Sequence, residues 1–152
     1  MPSMRNRAIV LAACAFAWQA HAADAGTARV EAGRKIYAAQ CAACHGVRGE
    51  GQPDWNALNA AGERPAPPHD ASGHTWKHSD AMLYRIVAQG WRDPFNKTQR
   101  LTMPAFGQDL KPEEIRAVID YLKTLWTPRQ RAFQREESRG APYPSDPERT
   151  PR

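Results

Sequence analysis

The sequence predicts an all-α protein, a single small domain with about three to five helices wrapped around a centre that is not itself protein. Three observations carry this expectation. No stretch of any length alternates apolar and polar residues as a strand would. Separate segments instead repeat apolar residues at three- and four-residue steps. The segments between them are long and rich in glycine and proline, and loops of that kind are uncommon in a small domain unless they have work to do.

The chain opens with MPSMRNRAIVLAACAFAWQAHAADAG. Arg5 and Arg7 precede an uncharged, mostly apolar run from Ala8 to Trp18, and Ala20-His21-Ala22 forms a small-x-small cleavage pattern. The apolar run is too short for a bilayer core of about 30 Å, which needs about twenty residues. Residues 1–22 are therefore expected to be a cleaved signal peptide, and the protein is expected in the periplasm. LAAC at 11–14 also resembles a lipoprotein cleavage box, but the apolar stretch between Arg7 and Cys14 is short for that route, so membrane association is expected to be indirect, with a lipid anchor as the lesser alternative.

Charge excludes one class of partner. The chain holds 21 Lys and Arg against 16 Asp and Glu. The excess lies in the leader and in the tail from Thr127 to Arg152, and the body, residues 23–126, is close to neutral. No basic stripe with interleaved aromatics is present, so no nucleic-acid surface is expected. A neutral body of about a hundred residues is near the size at which one core is marginal, and a large apolar cofactor would help to fill it.

Thr27 to Gln40 reads as the first helix, with Val30, Gly33, Tyr37 and Cys41 on one face. Gly33 costs a helix about 1 kcal/mol relative to alanine, so another backbone is expected to come close there. Gly46 to Asp70 is loop. Ser79 to Gln89 is the second long helix, capped by Ser79, with Leu83, Ile86 and Val87 inward and Gly90 at its end. Pro112 to Trp126 is the strongest helix, with proline first, Glu113 and Glu114 in the first turn, and an apolar stripe of Ile115, Val118, Ile119, Leu122, Leu125 and Trp126. Lys111 is a poor capping residue before it. Residues 127–152 form an Arg- and Pro-rich extension whose first part could prolong the helix and whose end, from about Gly140, is expected to be disordered.

The chemistry is concentrated in QCAACHG at 40–46. Once Cys14 is removed with the leader, Cys41 and Cys44 are the only thiols left. A dithiol oxidoreductase would place Cys-x-x-Cys after a strand, and no strand is expected here. Structural zinc would need two further ligands; His69, His74 and His78 could supply them, but there is no second cysteine pair. A plain disulfide is open to any exported pair. The histidine directly after the second cysteine, His45, is the mark of covalent haem c attachment, in which two thiols add to the vinyl groups on one porphyrin edge and the next side chain turns its imidazole to the iron. On the other face Met82 and Met103 are the available thioethers. Met82 lies within a regular helix, whereas Met103, in LTMPAFG, is held extended by Pro104 and is the candidate distal ligand.

With these residues in view, Thr27 to Trp126 resembles the class I, single-haem cytochrome c family. The resemblance rests on Gly33 and Tyr37, CAACH at 41–45, Met103-Pro104, and EEIRAVIDYLKTL at 113–125. It implies the small cytochrome c fold, with first and last helices crossing so that Gly33 faces Val118 and Tyr121. It also implies a proline carbonyl that accepts a hydrogen bond from the iron-binding histidine, and Pro53 is the matching position. The chain departs from the family pattern at APPHDASGHTWKHSD, residues 66–80. There Trp76 is a candidate for the haem edge or a propionate. The histidines could bind a soft metal such as copper, and His78 could compete with Met103 for the iron.

The function implied is one-electron transfer by an exported mono-haem c-type cytochrome, not an enzyme, that docks transiently with redox partner proteins through a small interface at the haem edge. Two other classes stand beside it. The domain could be the dedicated haem subunit of a larger exported dehydrogenase or oxidase complex, with the tail as a docking arm. Or Met103 could be unbound, leaving an open haem for peroxidase chemistry or gas sensing.

Overall fold

The computed structural model describes residues 24–98 and 100–144. The expected signal peptide lies outside them, as do residues 145–152. Helix α1 spans 24–40, followed by the short α2 (Ala42–His45), a 3-10 turn (Thr75–Lys77), α3 (Asp80–Gln89), α4 (Pro112–Thr124) and α5 (Pro128–Arg139). Among the described residues the only extended pairing is a single antiparallel bridge between Trp91 and Met103. The expected all-α architecture is thus the observed one.

The core follows from the apolar stripe of α4. Ile115, Val118, Ile119 and Leu122 are buried together with Tyr37 of α1, Leu83 and Tyr84 of α3, Leu110 and Trp126. α1 crosses α4 at Gly33: a Cβ there would lie 1.9 Å from the carbonyl oxygen of Ala117 and 3.0 Å from the amide nitrogen of Val118. No side chain fits, which explains a residue that otherwise weakens its helix. One turn on, Tyr37 packs on Tyr121 with ring centres 5.3 Å apart, and its hydroxyl donates to the Gly46 carbonyl at 2.8 Å. Arg29 and Asp120 add an ion pair between the same helices at 2.6 Å.

Lys111 is tolerated before Pro112 because its own amide is satisfied from within the helix: Glu114 reaches back and accepts from it at 2.7 Å. The ammonium has no lone pair with which to return the bond, so the cap is one-sided.

The extension differs from expectation. α4 ends at Thr124, and Thr127 opens a new helix with a reciprocal cap, accepting from the Gln130 backbone amide while the Gln130 side chain accepts from the Thr127 amide at 2.9 Å. α5 then packs on the 3-10 turn and α3. Gln134 is buried at 1% exposure and donates to Asp80 at 2.7 Å and to the Ser138 hydroxyl at 2.9 Å. The first amides of α3, which have no partners inside their helix, are met in order: Asp80 by the Ser138 hydroxyl, Ala81 by the Ala141 carbonyl and Met82 by Ser79. Tyr143 packs edge-on against Tyr84 and lies beside Lys123 and Asp120. The chain beyond Gly140 is therefore part of the packed structure as far as Pro144.

Candidate functional site

Cys41 ends α1, its amide bonded to the Tyr37 carbonyl at 2.9 Å, and caps α2; the amides of Cys44 and His45 both turn back to its carbonyl. The motif is thus one tight helical turn, which places Cys41, Cys44 and His45 at i, i+3 and i+4 on one side. Gly46 closes the turn at φ +83°, a conformation that suits glycine. Both cysteines are free thiols, Cys41 half-buried and Cys44 exposed. Burial, with Cys44 adding a smaller effect, pushes the Cys41 thiol up to about 11. That is the reverse of the depressed value a dithiol oxidoreductase needs.

His45 is 6% exposed. Its Nδ1 lies 2.9 Å from the carbonyl oxygen of Pro67. A carbonyl can only accept, so Nδ1 carries the proton and Nε2 keeps its lone pair for a metal. Burial lowers the imidazole's pKa and the Pro67 bond opposes that in part, so the ring is held neutral and able to ligate.

The acceptor is not Pro53, and the loop path gives the reason. Gly51 donates to the His45 carbonyl and Gln52 to the Ala66 carbonyl, while His69 and Asp70 donate to the Gly49 carbonyl. Residues 49–52 and 66–70 therefore run side by side beneath the motif, and the chain between them swings outward with Pro53 exposed. Gly51 makes the close approach possible: at φ +72° a Cβ would lie 2.5 Å from the Pro68 nitrogen.

The histidine-rich stretch belongs to this clamp. His69 stacks on His45 with ring centres 4.0 Å apart, its Nδ1 meets the Thr75 hydroxyl at 2.9 Å, and its carbonyl accepts from the Trp126 indole at 2.9 Å. His74 stacks on Trp55 and stands edge-on to His78. Among the described residues no three His, Cys, Asp or Glu side chains gather as metal ligands. Trp76 donates its indole N–H to the Gly73 carbonyl and packs on Phe133 of α5.

Met103 is held by its backbone. Its amide donates to the Trp91 carbonyl at 2.9 Å and its carbonyl accepts from the Trp91 amide at 3.0 Å. Gly90 ends α3 at φ +76°, where a Cβ would meet the Met103 carbonyl oxygen at 2.6 Å. Just downstream, Phe106 and Gly107 donate to the Val87 and Ala88 carbonyls, which lack partners at the end of α3. Both sides of the Met103 segment are thus tied to the C-terminal end of that helix.

A model of the cytochrome c family matches residues 30–126, and the chain belongs to that family. The cbb3-type cytochrome c oxidase subunit FixP of Bradyrhizobium sp. (strain ORS 278) is 32% identical over 95 residues, covering 61% of this chain. The match takes in only 29% of that relative's length. No solved structure matches the chain. The family implies covalently bound haem c, and the residues present fit it: two free thiols one helical turn apart, followed by a buried imidazole whose outer nitrogen is already engaged.

Proposed function

We propose that this chain is an exported mono-haem c-type cytochrome that passes single electrons between protein partners in the periplasm. Cys41 and Cys44 form the thioether links, His45 is the proximal ligand and Met103 the distal one. A haem held in this way supplies a ferric–ferrous couple at a high potential. With His45 and Met103 both holding the iron, no place would be left on it for a substrate, and the protein would act as a carrier, not an enzyme. The observation that carries the reading is the His45–Pro67 hydrogen bond beside the paired thiols, since it presents a neutral imidazole in a fixed orientation. No helix among the described residues is long and apolar enough to cross a membrane.

The test is a denaturing wash of protein made with a cytochrome c maturation system. Haem should stay with the wild-type chain and leave the Cys41→Ala/Cys44→Ala double variant. Haem lost from both would overturn the assignment.

A second reading draws on the relative that is named as an oxidase subunit: this domain is the haem subunit of a larger complex. Isolation from native membranes separates the two, since a subunit co-purifies with a larger haem protein in fixed ratio and a free carrier does not.

A further inference from the structure

Two buried carboxylates have no part in the attachment site. The side chains of Glu63 and Asp93 are 7% and 5% exposed, and burial of a carboxylate is costly unless it is fully partnered. Both are. Glu63 accepts from Arg100 at 2.7 Å and from the side-chain Nδ2 of Asn96 at 3.0 Å. Asp93 accepts from the Arg64 guanidinium at 3.4 Å and amide at 3.3 Å, and from the Phe95 amide at 3.1 Å.

These bonds join residues 59–64 to residues 93–100, and the backbone does the same. The Lys97 amide donates to the Ala61 carbonyl at 3.0 Å and its ammonium to the Ala60 carbonyl at 3.1 Å. Gly62 presses so closely on the Phe95 carbonyl oxygen that a Cβ would lie 2.1 Å away. The first segment is itself stiff, with the Asn59 side chain accepting from the Ala61 and Glu63 amides. The second leads directly into Met103. It is closed at its base by the Trp91–Met103 bridge and by the Asp93 amide donating to the Thr102 hydroxyl at 3.0 Å.

We infer that residues 59–64 are a brace for the Met103 loop, and that Glu63, with Arg100, is a positioning residue for the distal ligand. The same run of chain continues into Pro67 and His69, so one segment steadies the supports of both proposed axial ligands. The inference rests on the reading that Met103 binds the iron. An added anion can bind ferric iron only in the fraction of molecules whose Met103 loop has opened, so its rate of binding reports the brace.

The experiment compares cyanide binding to the ferric haem protein in the wild type, Glu63→Gln and Gln134→Ala. The last variant loses a buried contact on α5, away from this loop. Glu63→Gln should bind cyanide about tenfold faster, equivalent to about 1.4 kcal/mol in loop opening, and its far-red sulfur-to-iron band should fade at a lower pH than in the wild type. Gln134→Ala should lower the melting temperature without either effect. If Glu63→Gln cannot be isolated with haem, Arg100→Gln removes the exposed half of the same pair and should give the same result. Wild-type cyanide rates in these variants, or equal acceleration in Gln134→Ala, would overturn the brace. A wild-type protein that lacks the far-red band and binds cyanide without a slow opening step would overturn the Met103 reading itself, and the brace's role with it.

Discussion

The Nδ1 of His45 lies 2.9 Å from the carbonyl oxygen of Pro67, a residue 22 positions further along the chain. That bond depends on Gly51, whose missing side chain lets residues 66–68 pass beneath the motif. Gly51→Ala should strain a backbone at φ +72° and push Pro68 away, at a cost of about 1–3 kcal/mol. With the hydrogen bond weakened, the imidazole becomes a poorer donor to the iron, so the reduction potential should rise. Denaturant unfolding and a redox titration of the same sample check both effects.

A sharper loss is expected at the crossing of α1 and α4. Gly33→Ala sets a methyl group against the Ala117 carbonyl, a backbone atom that cannot rotate away. Overpacking of this kind costs about 1–3 kcal/mol and sometimes more. Haem should remain attached, since the thiols are untouched, while the unfolding midpoint falls. An unchanged midpoint would mean that the helices do not meet there.

The sequence was legible where a signal is local. The cap of α3, the proline start and apolar stripe of α4, the glycine at the crossing and the Cys-x-x-Cys-His turn are all written in neighbouring residues. Pro67 is not legible, because its place under His45 is set by the route of a long loop, and Pro53, much nearer in the chain, is the position the family resemblance matches. His69 was obscured for the same reason. α5 is legible only as a possible prolongation of α4 and not as a separate packed helix, because its buried anchor, Gln134, is polar and carries no apolar period. Yet its start was marked by Thr127, Pro128 and Gln130, the pattern of a reciprocal cap followed by proline at the first helical position.

Because α5 and Ala141 satisfy the first amides of α3, the extension should matter to stability. Truncation after Trp126 exposes the Asp80 and Ala81 amides and the face of Trp76 that meets Phe133. Gln134→Ala alone removes a donor to Asp80 and should cost about 1–3 kcal/mol. A thermal melt of the haem protein checks this; an arm used only for docking would leave the melt unchanged when deleted.

His74 and His78 set a pH dependence. Burial lowers both pKa values below 6.5, with Lys77 beside them acting in the same direction. The unfolded chain therefore binds protons here more readily than the folded one. The contribution to stability is complete above about pH 6.5, the unfolded value, and is lost as pH falls from there through the lower folded values. The melting temperature of the haem protein should decline from pH 7 to pH 5, and less steeply in the His74→Gln/His78→Gln double variant.

The central claim is that His45 and Met103 hold the iron of one covalently attached haem. Its most direct test is the visible spectrum of the ferric protein, refolded after a denaturing wash. The expected result is retained haem with the weak far-red band of sulfur bound to ferric iron, and loss of that band in Met103→Ala. Haem retained without the band in the wild type would contradict the claim.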